Sequence, residues 1–265
     1  MEDRKEPFYG KVPSEVPLKD APLVRVISQL GFEEILSVAD RNFIAPFQER
    51  IRSTYRSLRP EQVAVVTLGL AGQTMRQETV WRFYDAEEVW RVSLATNFVS
   101  LETRVYTNRK DFVRRIGEIA EAADECLKVG GFDRVGVRYV DLVRGEHLPR
   151  LGELVDPAFL GVYGKGGDMA AVQHQFSEMV ASVEEGQMSA RWGMLPANAT
   201  YDVNVLAPIG EPSWFLDVDV YADNATLPKP VPGNEVSDLA YALATRAYSV
   251  FKWATTEHFA KAYGG

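Results

Sequence analysis

The hydrophobic positions fall into two rhythms, alternation in pairs and recurrence every three to four residues, and these mark strands and helices respectively. Leu23–Leu30 predicts a first strand, with Val24 and Val26 on one face and Arg25 on the other. Over residues 41–58, Ile44, Phe47, Ile51, Tyr55 and Leu58 recur at helical spacing and form one stripe; Pro46 fits only near the first turn of such a helix. Three strands follow, over about 61–70, 78–85 and 89–106. In the last, Trp90, Val92, Leu94, Thr96 and Phe98 share a face, whereas Val99, Leu101 and Val105 continue in the opposite phase. A bulge or bend is expected near 97–99. A second helix is expected over 109–128, with Asn108 as its N-cap, Phe112, Ile116, Ile119, Ala123 and Leu127 on its buried face, and Gly130-Gly131 at its end. Residues 134–144 read as a strand with Val135, Val137, Tyr139 and Val143 on one side and Arg134, Arg138 and Arg144 on the other.

Residues 145–168 are rich in loop formers and suggest a boundary. Beyond them come a hairpin (170–183 and 187–195, turning at Glu184-Glu185-Gly186), strands at 200–206 and 213–222, a proline-rich crossing, and a long helix over about 235–262 capped by Asn234. The strands alternate cleanly: Met188, Ala190 and Trp192 against Gln187, Ser189 and Arg191, and Leu216, Val218 and Val220 against Asp217, Asp219 and Tyr221. One apolar and one polar face per strand is the mark of antiparallel sheets covered on one side. The expected fold is therefore α+β, built as two antiparallel sheet-plus-helix halves. An irregular, proline-punctuated arm spans 1–22, a first half 23–150 and a second half 151–265, whose long C-terminal helix packs on the second sheet.

Charge sharpens this picture. The 265 residues carry 29 basic and 37 acidic side chains, a net charge of −8. Residues 1–150 hold 23 of each sign, and residues 151–265 hold 6 basic and 14 acidic; 18 of the 20 arginines lie in the first half. Such a balance argues against coating nucleic acid or an anionic membrane, which needs a broad positive field, but leaves room for a local anionic ligand. The single Cys126 cannot form an internal disulfide. The charged start, Met1 to Glu6, lacks the apolar segment of a signal peptide, and no stretch approaches the roughly 20 apolar residues of a membrane span. The expected localisation is cytoplasmic, with no membrane partner.

Two constellations could carry chemistry. Asp217 and Asp219, two apart on a strand, project to one side, and Asp202 could join them from a neighbouring strand. Such carboxylates can hold Mg²⁺, or they can form a solvated or partner-facing surface. Arg82, Arg91, Arg104, Arg134 and Arg138 sit on expected strands of the first half. Guanidinium groups suit phosphates and carboxylates through paired hydrogen bonds, so these residues either clamp an anion or pair with carboxylates inside the fold or across an interface. His174, between Val172 and Phe176 on one strand face, reads as a core histidine. Cys126, near the buried face of its helix, reads as packing. No zinc-ligand spacing, nucleophile elbow or phosphate loop is present, and no catalytic residue is assigned.

Several stretches taken together resemble a sporadically distributed family of uncharacterised bacterial and archaeal proteins of similar length. They are Pro22-Leu23-Val24-Arg25-Val26, Phe47-Gln48-Glu49-Arg50-Ile51-Arg52 with Tyr55, Phe98-Val99-Ser100-Leu101-Glu102-Thr103 with Tyr106, Arg134-Val135-Gly136-Val137-Arg138-Tyr139-Val140, and Leu216-Asp217-Val218-Asp219-Val220. The match spans nearly the whole chain, and the Arg-x-Gly-x-Arg-Tyr strand is its most specific piece. It departs at Asp141, where the family pattern often has Asn. The patchy occurrence implies an association with mobile elements or defence, and no catalytic residues come with the resemblance.

The expected function is a non-catalytic protein-interaction module that self-associates or serves as a subunit of a defence or mobile-element complex. One alternative is a metal-dependent enzyme acting on a nucleotide or phosphate ester, with Asp217 and Asp219 as Mg²⁺ ligands and Arg138 as anion clamp. Another is a carrier of an apolar small ligand in the second half. No cofactor is expected outside the enzyme alternative.

Overall fold

The structure, a computed structural model, describes residues 7–69, 72–165, 172 and 174–265. Its strands are β1 (Leu23–Gly31), β2 (Ser57–Gly69), β3 (Gly72–Tyr84), β4 (Trp90–Ala95), β5 (Phe98–Thr103), β6 (Arg134–Arg144), β7 (Gln175–Val183), β8 (Gly186–Leu195) and β9 (Ser213–Asp223). Its helices are α1 (Arg41–Ile51), α2 (Arg109–Leu127), α3 (Leu151–Leu154), α4 (Val236–Ala254) and α5 (Glu257–Ala262), joined by short 3₁₀ turns. The arm before Pro7, the last residue of the expected strand 61–70, the connector from Gly166 to Asp168 and the start of the expected strand 170–183 lie outside the described residues.

The class is α+β as expected, but the expectation of two sheets is overturned. All nine strands form one antiparallel sheet in the order β2-β3-β4-β5-β1-β6-β9-β8-β7. The difference arises at β1, which enters between β5 and β6. Backbone bonds run from Leu142 N–H to Pro22 C=O (2.8 Å) and from Asp133 N–H to Gly31 C=O (3.0 Å), tying β1 and β6 head to tail, while Phe32 N–H donates to Asn97 C=O (3.1 Å) beside β5. Alternation along a strand tells which residues share a face, but not which strand lies alongside, and these pairings are non-local.

The chain folds into two compact units that interleave along the sequence. Unit one comprises Met1–Val26, Val137–Ala222 and Ala242–Gly265; unit two comprises Ile27–Gly136 and Asp223–Tyr241. Counted by unit, the charges are 13 basic and 18 acidic in unit one, and 16 and 19 in unit two. The contrast between a neutral first half and an acidic second half therefore belongs to chain order and largely disappears in the fold.

In unit two, Trp81, Phe83, Val92, Leu94, Val99 and Leu101 share one sheet face through the registers Trp81↔Leu94↔Val99 and Phe83↔Val92↔Leu101, and all are buried. The expected bulge near 97–99 is a tight turn at Thr96-Asn97. The change of phase there is what a hairpin requires, since it folds both apolar sets onto one face. Helices α1 and α2 cover that face: Phe47 meets Phe83 edge-on at 5.7 Å, and Phe112 stacks on Trp90 at 6.0 Å. Helix α1 ends at Ile51, short of the expected 58. Asn108 caps α2 as read from the sequence, accepting from Asp111 N–H at 2.9 Å.

In unit one, the long helix is broken at Thr255, whose hydroxyl donates back to Phe251 C=O (2.8 Å). Helix α4 packs on β6 and β9, and Leu243, Ala244, Ala247, Val250 and Ala254 are buried on it. The expected strand 200–206 is instead a coil of turns. Asp202 explains why: its carboxylate accepts from Asn204 N–H (3.0 Å), and its carbonyl accepts from Val205 and Leu206 N–H (3.1 and 2.9 Å). Short polar side chains that satisfy nearby backbone groups compete with a strand ladder.

Candidate functional site

The polar face of unit one carries a row of charges that the registers align. Asp217 on β9 and Arg138 on β6 sit on neighbouring strands and form a two-pronged pair, with Nε to Oδ1 at 2.7 Å and Nη2 to Oδ2 at 2.5 Å. The Asp217 side chain is 3% exposed and that of Arg138 is 21% exposed. On the other side of β9, Arg191 of β8 is the register partner of Asp217, and Glu178 of β7 is the register partner of Arg191. Arg191 Nε meets Glu178 Oε1 at 2.7 Å. Residues directly opposite on antiparallel strands share a face and interact, so Glu178, Arg191, Asp217 and Arg138 alternate in sign across four adjacent strands. The row runs from an exposed edge to a buried centre.

An aromatic stack flanks it. Tyr201 lies flat on Phe215 (4.2 Å between centroids, 11° between planes), and Phe176 lies on Phe215 at 6.2 Å. Phe215, Leu142, Leu195 and Leu206 form a buried cluster against which Val24, Tyr201 and Ile209 pack. The turns around 200–206 are also held by Arg25, which donates to Asn204 and Val205 carbonyls (2.5 and 2.9 Å).

The electrostatics follow from burial. Desolvation pulls the Arg138 pKa down, but the hydrogen bonds and charge of Asp217 outweigh it, with Tyr201 and Asp219 adding, and the guanidinium ends above its ordinary value. Burial raises the Tyr201 phenol, and the Asp217 charge raises it further. Asp141, also on β6, is buried, and desolvation with the nearby Asp217 charge pushes its pKa up to about 7. Tyr263, beyond α5, is raised to about 12 by burial and by the Asp141 charge. Its ring lies 4.5 Å from that of His147.

Of the residues singled out from the sequence, Arg138 and Asp217 meet, and Asp219 projects beside them, close enough for its charge to act on Arg138. Asp202 shapes the turns described above. Arg82 and Arg134 belong to unit two. Arg82 binds Glu61 (2.8 Å) and the Ser93 hydroxyl (2.6 Å), and the Arg134 guanidinium lies against the backbone of Gly136. Arg91 pairs with Glu102 at 2.8 Å. Arg104 is exposed just past β5. His174 is exposed and precedes β7 rather than lying in the core, because β7 is the sheet's outermost strand. Burial raises the Cys126 thiol pKa.

Sequence reasoning missed a second cluster. Arg246 on α4, 1% exposed, reaches Glu185 (2.7 and 2.9 Å), Glu184 (3.2 Å) and the carbonyls of Pro7 (3.3 Å) and Gly10 (3.2 Å). It thereby locks the N-terminal arm to the β7–β8 hairpin tip. The arm is further held by Tyr248, whose hydroxyl accepts from Val16 N–H at 2.8 Å, and by Phe8 edge-on to Trp253 at 5.6 Å. The signal was present: Arg246 falls between Leu243 and Ala247 on the apolar stripe, where a lone arginine must find carboxylates or carbonyls.

Among the described residues, no group of three or more His, Cys, Asp or Glu side chains could hold a metal ion, and no helix is long and apolar enough to cross a membrane. The Arg138 guanidinium on both Asp217 oxygens sets a positive charge beside any cation that this carboxylate could bind. No family model matches the chain, and no curated protein matches it.

Proposed function

We propose that the chain is a protein-interaction module whose binding element is the outer edge of β7. The observation that carries this reading is the contrast between β7 and an ordinary protected edge. Edge strands present unpaired backbone groups and are normally blunted by proline or charge. The opposite edge, β2, carries exposed Arg59, Pro60 and Glu61. β7 has neither proline nor lysine, and it exposes Phe176 (49%) and Val180 (65%) on either side of Glu178. Among the described residues, no backbone bond from outside the sheet reaches Gln175–Val183; the nearest joins Glu184 N–H to Phe8 C=O at the turn. Such an edge can accept a further strand.

The fork between Arg138 and Asp217 weighs against the metal-dependent alternative. The small-ligand alternative gains little from the cleft beside α4 and α5, lined by Val16, Leu18, Tyr248, Phe251 and Phe259, whose space of about 10 Å³ fits one water.

The test is site-specific photo-crosslinking in the producing cells, with benzoylphenylalanine at position 176 or, as control, at Gln62 on β2. The expected result is a protein adduct at 176 that disappears in Val180→Glu and is absent at 62. No adduct at 176, or an equal one at 62, overturns the reading.

A further inference from the structure

We infer that the seat of the N-terminal arm is a peptide-binding groove for an extended segment with an aromatic residue two positions ahead of a glycine, and that the arm is its resident ligand, displaceable by such a segment from another chain. The groove lies in unit one between α4 and the β7–β8 turn, and the inference does not depend on the open edge of β7.

Between Pro7 and Pro22 the arm forms no helix or strand. Its prolines at 7, 13, 17 and 22 preset an extended backbone, which lowers the entropy cost of docking. The groove meets the arm at main-chain groups. Arg246 donates to the carbonyls of Pro7 (3.3 Å) and Gly10 (3.2 Å). The Glu184 carboxylate accepts from Gly10 N–H at 2.9 Å, and Glu184 N–H donates to Phe8 C=O at 3.1 Å. The Tyr248 hydroxyl accepts from Val16 N–H at 2.8 Å and donates to Ser14 C=O at 3.4 Å. Main-chain bonds supply affinity for an extended peptide, and side-chain positions supply selectivity. Two positions do so here. Phe8 meets Trp253 edge-on at 5.6 Å, and Trp253 packs on Phe159 at 4.9 Å. Gly10 holds φ at +79°, a region that glycine enters without a steric cost.

The groove keeps its charges paired without the arm. Arg246, 1% exposed, holds Glu185 in a fork through Nε (2.7 Å) and Nη2 (2.9 Å), so its cation retains a partner. Its Nη1, which donates to Pro7, then points at whatever carbonyl enters. The arm in turn is lightly anchored, since of residues 7–22 only Pro7 is buried, and segments with little buried surface open at low cost.

The test titrates a fluorescein-labelled peptide with the sequence of residues 7–20 into the full chain and reads fluorescence anisotropy. In the wild-type chain the tethered arm competes at an effective concentration on the order of millimolar. Gly10→Pro removes the N–H and forbids the positive φ, so that chain's own arm is weakened while its groove is untouched. The peptide is expected to bind the Gly10→Pro chain at least about tenfold more tightly than the wild-type chain. A peptide carrying Gly10→Pro or Phe8→Ala is expected to bind the same chain at least about tenfold more weakly than the unaltered peptide. The Phe8→Ala chain, titrated alongside, provides a second weakened arm. Equal binding to wild-type and variant chains, equal binding of altered and unaltered peptides, or no binding by variant chains that keep a cooperative urea transition overturns the inference. Loss of folding in both variant chains overturns it as well, because the arm would then be part of the core rather than a displaceable ligand.

Discussion

The same residue types meet opposite conditions at the surface of unit two and in the interior of unit one. In unit two the ion pairs Arg114–Glu118, Arg52–Glu49 and Arg50–Glu125 join side chains that are about half exposed or more on both partners. In unit one, Asp217 and Arg246 are all but sealed from solvent and Asp141 is buried as well. A surface pair exchanges good solvation for modest attraction, whereas a buried one has no solvation to fall back on once its partner is gone. Energetic stakes therefore follow burial rather than residue count, and a sequence with 29 basic and 37 acidic residues hides a few positions where a single charge matters greatly.

The contrast is broken most forcefully at its deepest point. Arg138→Ala or Asp217→Ala leaves an uncompensated charge in the sheet and is expected to cost about 3–5 kcal/mol, read from urea unfolding midpoints at constant slope. The double variant Arg138→Met with Asp217→Leu removes both charges and keeps apolar volume, so it recovers most of that loss. Equal destabilisation by single and double variants would show that the site tolerates no apolar replacement, and that burial of charge is not the governing quantity.

Much of the fold was readable because burial imposes periodicity. The stripes of α1, α2 and α4 and the alternation of β8 and β9 stand in the sequence, as does the projection of Arg138 and Asp217 from polar strand faces. What the sequence withheld were relations between distant strands. Nothing in Leu23–Gly31 says that it lies between β5 and β6, so one sheet was read as two. The turn at Thr96-Asn97 was read as a bulge, since both reverse the apolar phase. The strand expected at 200–206 is a run of turns because the Thr200 and Asp202 side chains bind nearby backbone groups, a capacity that alternation does not register. The charge row was half visible: Arg138 and Asp217 were candidates for pairing, but Arg191 and Glu178 become their neighbours only through the β7–β8–β9 registers. Edge exposure of Phe176 and Val180 was hidden for the same reason, because an edge is a property of the whole sheet.

A subtler contrast lies within unit one, between a buried charge with a partner and one whose nearest charge is another carboxylate. The Asp141 carboxyl holds its proton to about pH 7, against 3.8 for the ordinary group. The folded protein thus binds a proton that the unfolded chain releases. The native state is least penalised below about pH 4, loses stability as pH rises toward 7, and carries the full penalty above it. Asp141→Asn removes the ionisation and keeps the shape of the side chain. It is expected to stabilise the protein by up to about 4 kcal/mol at pH 8 and to give no gain at pH 4, where a neutral carboxyl fits at least as well as an amide. Denaturation at the two pH values checks this, and a gain of the same size at both would mean that charge is not what the site resists.

The smallest effect defines the other end of the comparison. Arg114 on α2 reaches Asp111 at 2.7 Å and Glu118 at 2.5 Å, spacings at which helix neighbours meet. It makes as many side-chain hydrogen bonds to carboxylates as Arg138 does. It is exposed, however, and Asp111 keeps a second partner in Arg115 (2.9 Å), whose guanidinium lies over Trp90 at 4.3 Å. Arg114→Ala should therefore shift stability by no more than about 0.5 kcal/mol, and even that shift should shrink at high salt, because exposed charges are screened. Urea unfolding at low and high ionic strength measures both quantities. A loss above about 1 kcal/mol, or one that persists in high salt, would place an exposed pair on the same footing as Arg138–Asp217 and dissolve the distinction between surface and buried charges, since the number of bonds rather than their burial would then set the energy.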